Sequence, residues 1–265
     1  MTILDDIVSH KKEEVKQRKQ KGILDLKTRE MFFREAISLR SALEKTMLPI
    51  GVIAEVKRKS PSAGVIRENF SAKKIAKEYE ENIASAISVL TEEKYFGGSL
   101  IDLESVRNTV SLPLLRKDFI IDELQIIEAK SFGADAVLLI VDILSRSQLE
   151  ELFFCARENG LECLVEVYEP NSLDKINFDE MNLLGINNRN LKTMEVNLKH
   201  TEAIIRLMPI IPSETIVVSE SGIKTSEDIL RVKNYGARGI LIGETLMKEQ
   251  FPGKALKELL EQCAI

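Results

Sequence analysis

GVIAEVKRKSPS, residues 51–62, decides the fold, because it begins as a buried strand and ends in charge. A side-chain period of two puts Val52, Ala54 and Val56 on one face of the strand and Ile53, Glu55 and Lys57 on the other. Burying unpaired charge is costly. Glu55 and Lys57 must therefore be paired, lie at a strand end near water, or do chemistry.

Short apolar runs like this one recur along the chain, at 86–91, 112–117, 135–141, 162–168, 183–187, 215–219 and 239–243. Amphipathic stretches near 72–82, 99–109, 122–132, 145–160, 170–178, 197–207, 225–235 and 252–262 alternate with them and read as helices. Gly133-Ala134 and Gly236-Ala237 fit a glycine that ends a helix just before the next strand. Repeated βα units predict parallel strands joined by crossover helices. Eight of them predict a (β/α)8 TIM barrel, a fold that reaches this length of 265 residues. Residues 1–48 read as helical and highly charged, with Ile3, Leu4, Ile7, Val8, Lys11 and Val15 along one side. The expectation is one barrel domain over 1–265, with 1–48 as a helical extension covering it. The run KKEEVKQRKQK is expected to be a solvated helix face.

Composition narrows the function. A net charge of −5 offers no broad basic surface to nucleic acid or anionic lipid. The longest clean apolar run, Ala136 to Val141, is too short to span a bilayer. The opening MTILDDIVSHKKEEVKQRK lacks the unbroken apolar segment of a secretory signal, so a cytoplasmic location is expected. Cys155, Cys163 and Cys263 show no CxxC spacing, and His10 and His200 sit in charged contexts that suggest exposed helix faces. No metal site is expected from so few ligands, and a Ser-His-Asp mechanism is poorly supplied.

In such a barrel the C-terminal ends of the strands form the active-site rim. The oddity of the first strand repeats there. Lys117 ends the third strand, Glu166 interrupts the fifth, Asn187 and Arg189 share a face after the sixth, and Glu220 and Ser221 end the seventh. One polar interruption suits a structural ion pair, whereas five at matching ends point to a shared site. Carboxylates and lysines crowded together perturb one another's protonation, as acid–base work near neutral pH requires. After the seventh and eighth strands, Ser221-Gly222 and Gly243 open helix starts, where glycine lets backbone N–H groups approach an anion. These two loops are the usual phosphate site of this fold. Glu244 follows Gly243 directly, so its carboxylate is expected to point outward or toward a cation.

IAEVKRKSPS, LTEEKYFGGS, LLRKDF, LVEV, GINNRNL, SESGI and LIGETLM resemble, in order and at matching strand ends, the indole-3-glycerol-phosphate synthase family. The resemblance covers essentially the whole chain and its monofunctional form. It implies a cofactor-free lyase of tryptophan biosynthesis that closes the indole ring of 1-(2-carboxyphenylamino)-1-deoxyribulose 5-phosphate, releasing CO₂ and water. By the same resemblance, Lys117 is the general acid for ring closure, and Glu166 transfers protons in dehydration with Lys57 as a further acid. Glu55 and Glu220 orient the lysines, while Asn187 and Arg189 position the carboxylate-bearing ring. Ser60, Ser221, Gly222 and Gly243 line the phosphate side, Glu244 serves there through its backbone, and Phe119 and Leu138 wall the aromatic ring. The family often carries a small hydroxyl residue in place of Glu244. The expected partner is a small sugar-phosphate substrate rather than a nucleic acid or membrane, and the expected assembly is a monomer or weak homo-oligomer. Two other readings compete: a Schiff-base aldolase using Lys117, and a non-catalytic sugar-phosphate-binding barrel.

Overall fold

The computed structural model describes residues 2–20, 25–209 and 211–264. Residues 1 and 21–24 of the expected N-terminal extension lie outside the described residues. Eight parallel strands close into a barrel: β1 Gly51–Val56, β2 Ala86–Leu90, β3 Leu114–Lys117, β4 Ala136–Ile140, β5 Glu162–Val167, β6 Leu183–Asn187, β7 Ile216–Glu220 and β8 Gly239–Ile242. Closure is made by β1, which pairs with β8 through Ile53↔Leu241 and with β2 through Ile53↔Ala86. The expected (β/α)8 architecture is therefore present, with strand ends shifted by a residue or two.

The alternation in β1 does what its pattern requires. Val52, Ala54 and Val56 pack with the surrounding helices, α3 (Ala72–Glu81) among them, while Ile53 belongs to the barrel interior with Leu115, Leu138, Leu164, Val218 and Leu241. Leu39 and Leu43, from helix α2 (Leu39–Glu44), close that interior at the N-terminal end. Helix starts follow local capping: Ser145 with Gln148, and Thr225 with Asp228, form reciprocal capping boxes. Gly133 at φ 86° and Gly236 at φ 109° end their helices in the left-handed region, as their GA junctions predicted.

Four expectations need correction. Within 1–48, the described helices are only α1 (Ile3–Gln20), a 3-10 turn at Glu30–Phe33, and α2. The reason is geometric. α1 docks beside the C-terminal ends of the strands, through Lys11–Asp118 at 2.9 Å, while α2 sits at the opposite end, with Arg40 N–H donating to Glu162 at 2.9 Å. Residues 25–38 descend the barrel wall, held by the Arg29–Glu104 and Arg34–Asp135 ion pairs, and the backbone is extended at Arg34.

The run KKEEVKQRKQK is not wholly solvated. Lys11 is 1% exposed, and Arg18 pairs with Glu128 at 2.9 Å. Between β5 and β6 the stretch 170–178 forms only a 3-10 segment, Pro170–Lys175. The Lys175 ammonium ties it down by donating to the carbonyls of Val141 and Leu144.

Neither histidine lies on an exposed helix face. His200 is partly buried, stacking on Tyr168 at 4.3 Å, and His10 meets the Tyr95 ring edge-on at 6.2 Å.

Candidate active site

The C-terminal ends of the strands surround a cavity of about 560 Å³. Every residue that the sequence marked as a site candidate lines it. β1 supplies Glu55 and, just beyond its end, Lys57 and Ser60; β3 supplies Lys117 and then Phe119. Glu166 comes from β5, Asn187 from the end of β6 with Arg189 two residues later, and Glu220 from the end of β7 with Ser221 and Gly222 following. Gly243 and Glu244 follow β8, and Leu138 rises from β4.

The centre of the site is a trio. Lys117 Nζ lies 3.0 Å from Glu166 Oε2 and 2.8 Å from Glu220 Oε2. Both carboxylates are almost wholly buried. Asn187 donates its amide to Glu166 Oε1 at 3.2 Å. Burial works against the Lys117 charge, yet the carboxylates of Glu166, Glu220 and Glu55 outweigh it and hold the ammonium well above the ordinary lysine range. The two acids are pushed apart. Burial drives Glu220 up to about 8; Lys117 opposes this and the neighbouring Glu166 carboxylate adds to it. Glu166 is also opposed by burial, but Lys117 and the Asn187 amide hold it below its ordinary value. Adjacent carboxyls with separated protonation equilibria can keep one proton and one charge at the same pH. Beside the trio, Lys57 forms an ion pair with Glu55, so the two charges of the opening strand are partners as well as rim residues.

The two ends of the cavity differ in chemistry. One is apolar: Phe96 and Phe119, with ring centroids 6.1 Å apart, face Leu138 and Ile140. The other is polar. Ser221 at φ 67° and Gly222 at φ 85° turn the backbone through the left-handed region. Arg189 and Lys248 stand there with Glu244, whose oxygens lie 3.3 Å from the Arg189 guanidinium and 2.7 Å from the Lys248 ammonium. The Glu244 side chain thus points toward cations, one of the two orientations its position demanded.

Sequence reading missed Phe96, Asp118 and Lys248. Phe96 was visible only as part of the KYFGGS motif, and Lys248 carries no local signal. Asp118, next to Lys117, is buried and bound to Lys11, Arg116 and Thr91, so it anchors the loop after β3. Among the described residues no group of three or more His, Cys, Asp or Glu side chains is arranged to hold a metal ion.

The model of the family described as "Indole-3-glycerol phosphate synthase" matches residues 4–259. An indole-3-glycerol phosphate synthase of Shouchella clausii (strain KSM-K16) is 45% identical over 264 residues, covering 99% of both chains. One from Salinibacter ruber (strain DSM 13855 / M31) is 47% identical over 262 residues, covering 98% of this chain and 95% of its own. Among solved structures, tryptophan synthase subunit alpha from Legionella pneumophila str. Paris superposes with a TM-score of 0.61 at 14% identity, covering 85% of this chain and 98% of that one. Thiamine phosphate pyrophosphorylase from Pyrococcus furiosus does so with a TM-score of 0.60 at 17% identity, covering 86% and 98%. At such identities these two likenesses speak to the barrel alone. Matched along nearly its full length by both the family model and the curated relatives, the chain belongs to the indole-3-glycerol phosphate synthase family.

Proposed function

We propose that the protein is an indole-3-glycerol phosphate synthase, converting 1-(2-carboxyphenylamino)-1-deoxyribulose 5-phosphate into indole-3-glycerol phosphate, CO₂ and water. The observation that carries the reading is Lys117 held between Glu166 and Glu220, with an aromatic wall on one side and an anion-suited rim on the other. The carboxyphenyl ring lies against Phe96, Phe119 and Leu138, and the phosphate meets the Ser221-Gly222 and Gly243 backbone.

In ring closure the ring carbon that bears the carboxylate attacks the ketose carbonyl carbon. As the new C–C bond forms, the carbonyl oxygen takes a proton from Lys117 and becomes a hydroxyl. Loss of CO₂ leaves its bonding pair in the ring and restores aromaticity. Dehydration then removes that hydroxyl as water, with a proton from Lys57, while Glu166 takes a proton from the CH₂ beside nitrogen. Glu220 orients Lys117, Asn187 orients Glu166, Glu55 orients Lys57, and Arg189 holds the substrate carboxylate. Ser60 closes the rim over the sugar.

An imine-forming lysine must be a neutral amine. Lys117 is held as the ammonium by the acids around it, Glu166 foremost, which suits an acid and opposes the aldolase reading. A sensor has no use for such a trio. We also read the chain as a single domain, working in the cytoplasm as a monomer or weak homo-oligomer, with α1 partly covering the mouth.

The test is to incubate purified protein with the carboxyphenylamino-deoxyribulose phosphate, chelator present, and follow indole absorbance and CO₂ release. The expected result is turnover by the parent and none by Lys117→Ala. A well-folded parent without turnover overturns the assignment.

A further inference from the structure

β6 carries a glycine where a strand gains nothing from one. Gly185 sits in the middle of Leu183–Asn187, wholly within the sheet, paired in register with Glu166 on β5 and Val218 on β7. Glycine inside a strand loses more entropy on folding than other residues and contributes no packing. Two local reasons could excuse it, and the first is absent: the backbone at Gly185 does not adopt a positive φ, so any L-residue could take this conformation. Space is the remaining reason. A Cβ at 185 would overlap Glu220 Oε1 outright and come within 3.4 Å of Glu220 Cδ, whereas its approach to the Glu166 Cα, also 3.4 Å, is ordinary contact. The volume that a side chain would fill is occupied by the Glu220 carboxylate.

The register shows what this does for the site. Glu220 is paired with Asn187, one interior layer above Gly185, and Glu166 is paired with Gly185 itself. Leaning into the gap over Gly185, the Glu220 carboxyl comes beside that of Glu166, and one ammonium, Lys117 Nζ, reaches both at 3.0 and 2.8 Å. The Oε1 atom that rests over the glycine has no hydrogen-bond partner among the described residues, while the other oxygen of the carboxyl is held by Lys117.

We propose that Gly185 is a positioning residue for the acid–base trio: the missing side chain forms the seat that lets Glu220 share Lys117 with Glu166. The role in turnover rests on the synthase reading above, but the seat itself is a statement about packing and can be tested apart from it.

The experiment is a cycle of four proteins: parent, Gly185→Ala, Glu220→Ala, and the double variant. Melting temperature is the first readout. Alanine at 185 is expected to lower it in the parent and to leave it unchanged or raised in the Glu220→Ala background, where the carboxylate no longer needs the space. If Gly185→Ala fails to fold in the parent, the double variant still decides, since it must fold as well as Glu220→Ala alone. A cost of the same size in both backgrounds overturns the proposal. The second readout is kinetic. Displacing a catalytic group by about 1 Å costs roughly 10²-fold, so Gly185→Ala should lower kcat by about that factor while KM stays within about threefold. Adding Glu220→Asp, which retracts the carboxylate by one methylene, should restore at least part of that loss. Full kcat in Gly185→Ala, or no recovery by the shorter acid, overturns the proposal. A parent that does not turn over, in a cycle that behaves as expected, sinks the synthase reading and leaves the seat standing.

Discussion

At the scale of single residues, the site is a problem of where protons reside. Glu220 keeps its proton in the folded protein up to about 8, against an ordinary value of 4.5. The folded state therefore binds more protons than the unfolded chain between those two values. By linkage, this group's contribution to stability is complete below the lower value and is lost as pH rises through the upper one. Across that window the parent's melting temperature should decline relative to that of Glu220→Gln, which has no proton to lose there. Asp118 acts in the opposite sense. Burial opposes its charge, but Arg116 and Lys11 outweigh this and hold the carboxyl far below its ordinary range, so its contribution is lost only in strong acid. Kinetically, Glu220→Gln should lower kcat by roughly 10²-fold, the lower end of what general acid–base groups contribute. The parent's fall in kcat above about pH 8 should be absent from that variant. A pH–rate profile identical to the parent's would show that the protonation of Glu220 does not govern turnover.

At the scale of elements, the N-terminal segment is secured by buried charge at both ends of the barrel. Asp135, fully buried just before β4, takes hydrogen bonds from the Ile37 N–H at 2.7 Å, the Leu114 N–H at 2.8 Å and Arg107 at 2.9 Å, with Arg34 as a further partner. One carboxylate thus joins the descending chain, β3 and α4 (Leu100–Arg107). Removing one member of a buried charge network leaves the others unpaired and typically costs about 3–5 kcal/mol. Asp135→Ala should lose about that much stability in urea titration and release the segment 34–38 to faster amide exchange. A loss below about 1 kcal/mol would mean that water replaces the carboxylate at no cost. The charged character of α1 has the same explanation: the side chains that look solvated in sequence meet acids on the β3 loop and on α5 (Glu123–Ser131).

At the scale of the molecule, a chain of net charge −5 must admit a substrate that carries both phosphate and carboxylate. The mouth carries the cations Lys57, Arg189, Lys224 and Lys248 beside the acids Glu55, Glu244 and Glu249, so any attraction for an anion is confined to the few ångströms around each cation. Cations focused in a cleft raise the encounter rate with an anion, and salt screens the effect within a Debye length of about 10 Å at 0.1 M. Raising ionic strength from about 0.01 to about 0.5 M should therefore lower kcat/KM several-fold while leaving kcat nearly unchanged. A kcat/KM insensitive to salt would show that contact rather than steering governs capture.

The order of the eight strands, and the polar residues near their C-terminal ends, are determined by the sequence alone, to within a residue or two at each strand end. Alternation in Val52–Lys57, the capping boxes and the GA junctions are interactions within a few residues, and they survive whatever the rest of the chain does. For the same reason the polar residues at the strand ends were legible, since a charge at the end of an apolar strand is anomalous wherever it is read, whereas Lys248, beyond the last strand, carries no such mark. Tertiary structure decided the rest. Lys117 and Glu220 are 103 residues apart, and their 2.8 Å contact, the shift of Glu220 up to about 8, and the gap over Gly185 that permits both arise only when the barrel closes. The docking of α1 and the extended backbone at Arg34 likewise depend on partners supplied by α5 and by the start of β4. Local patterns specify elements because their energetics are local; distances between distant side chains, and the burial that sets their protonation, exist only in the assembled fold.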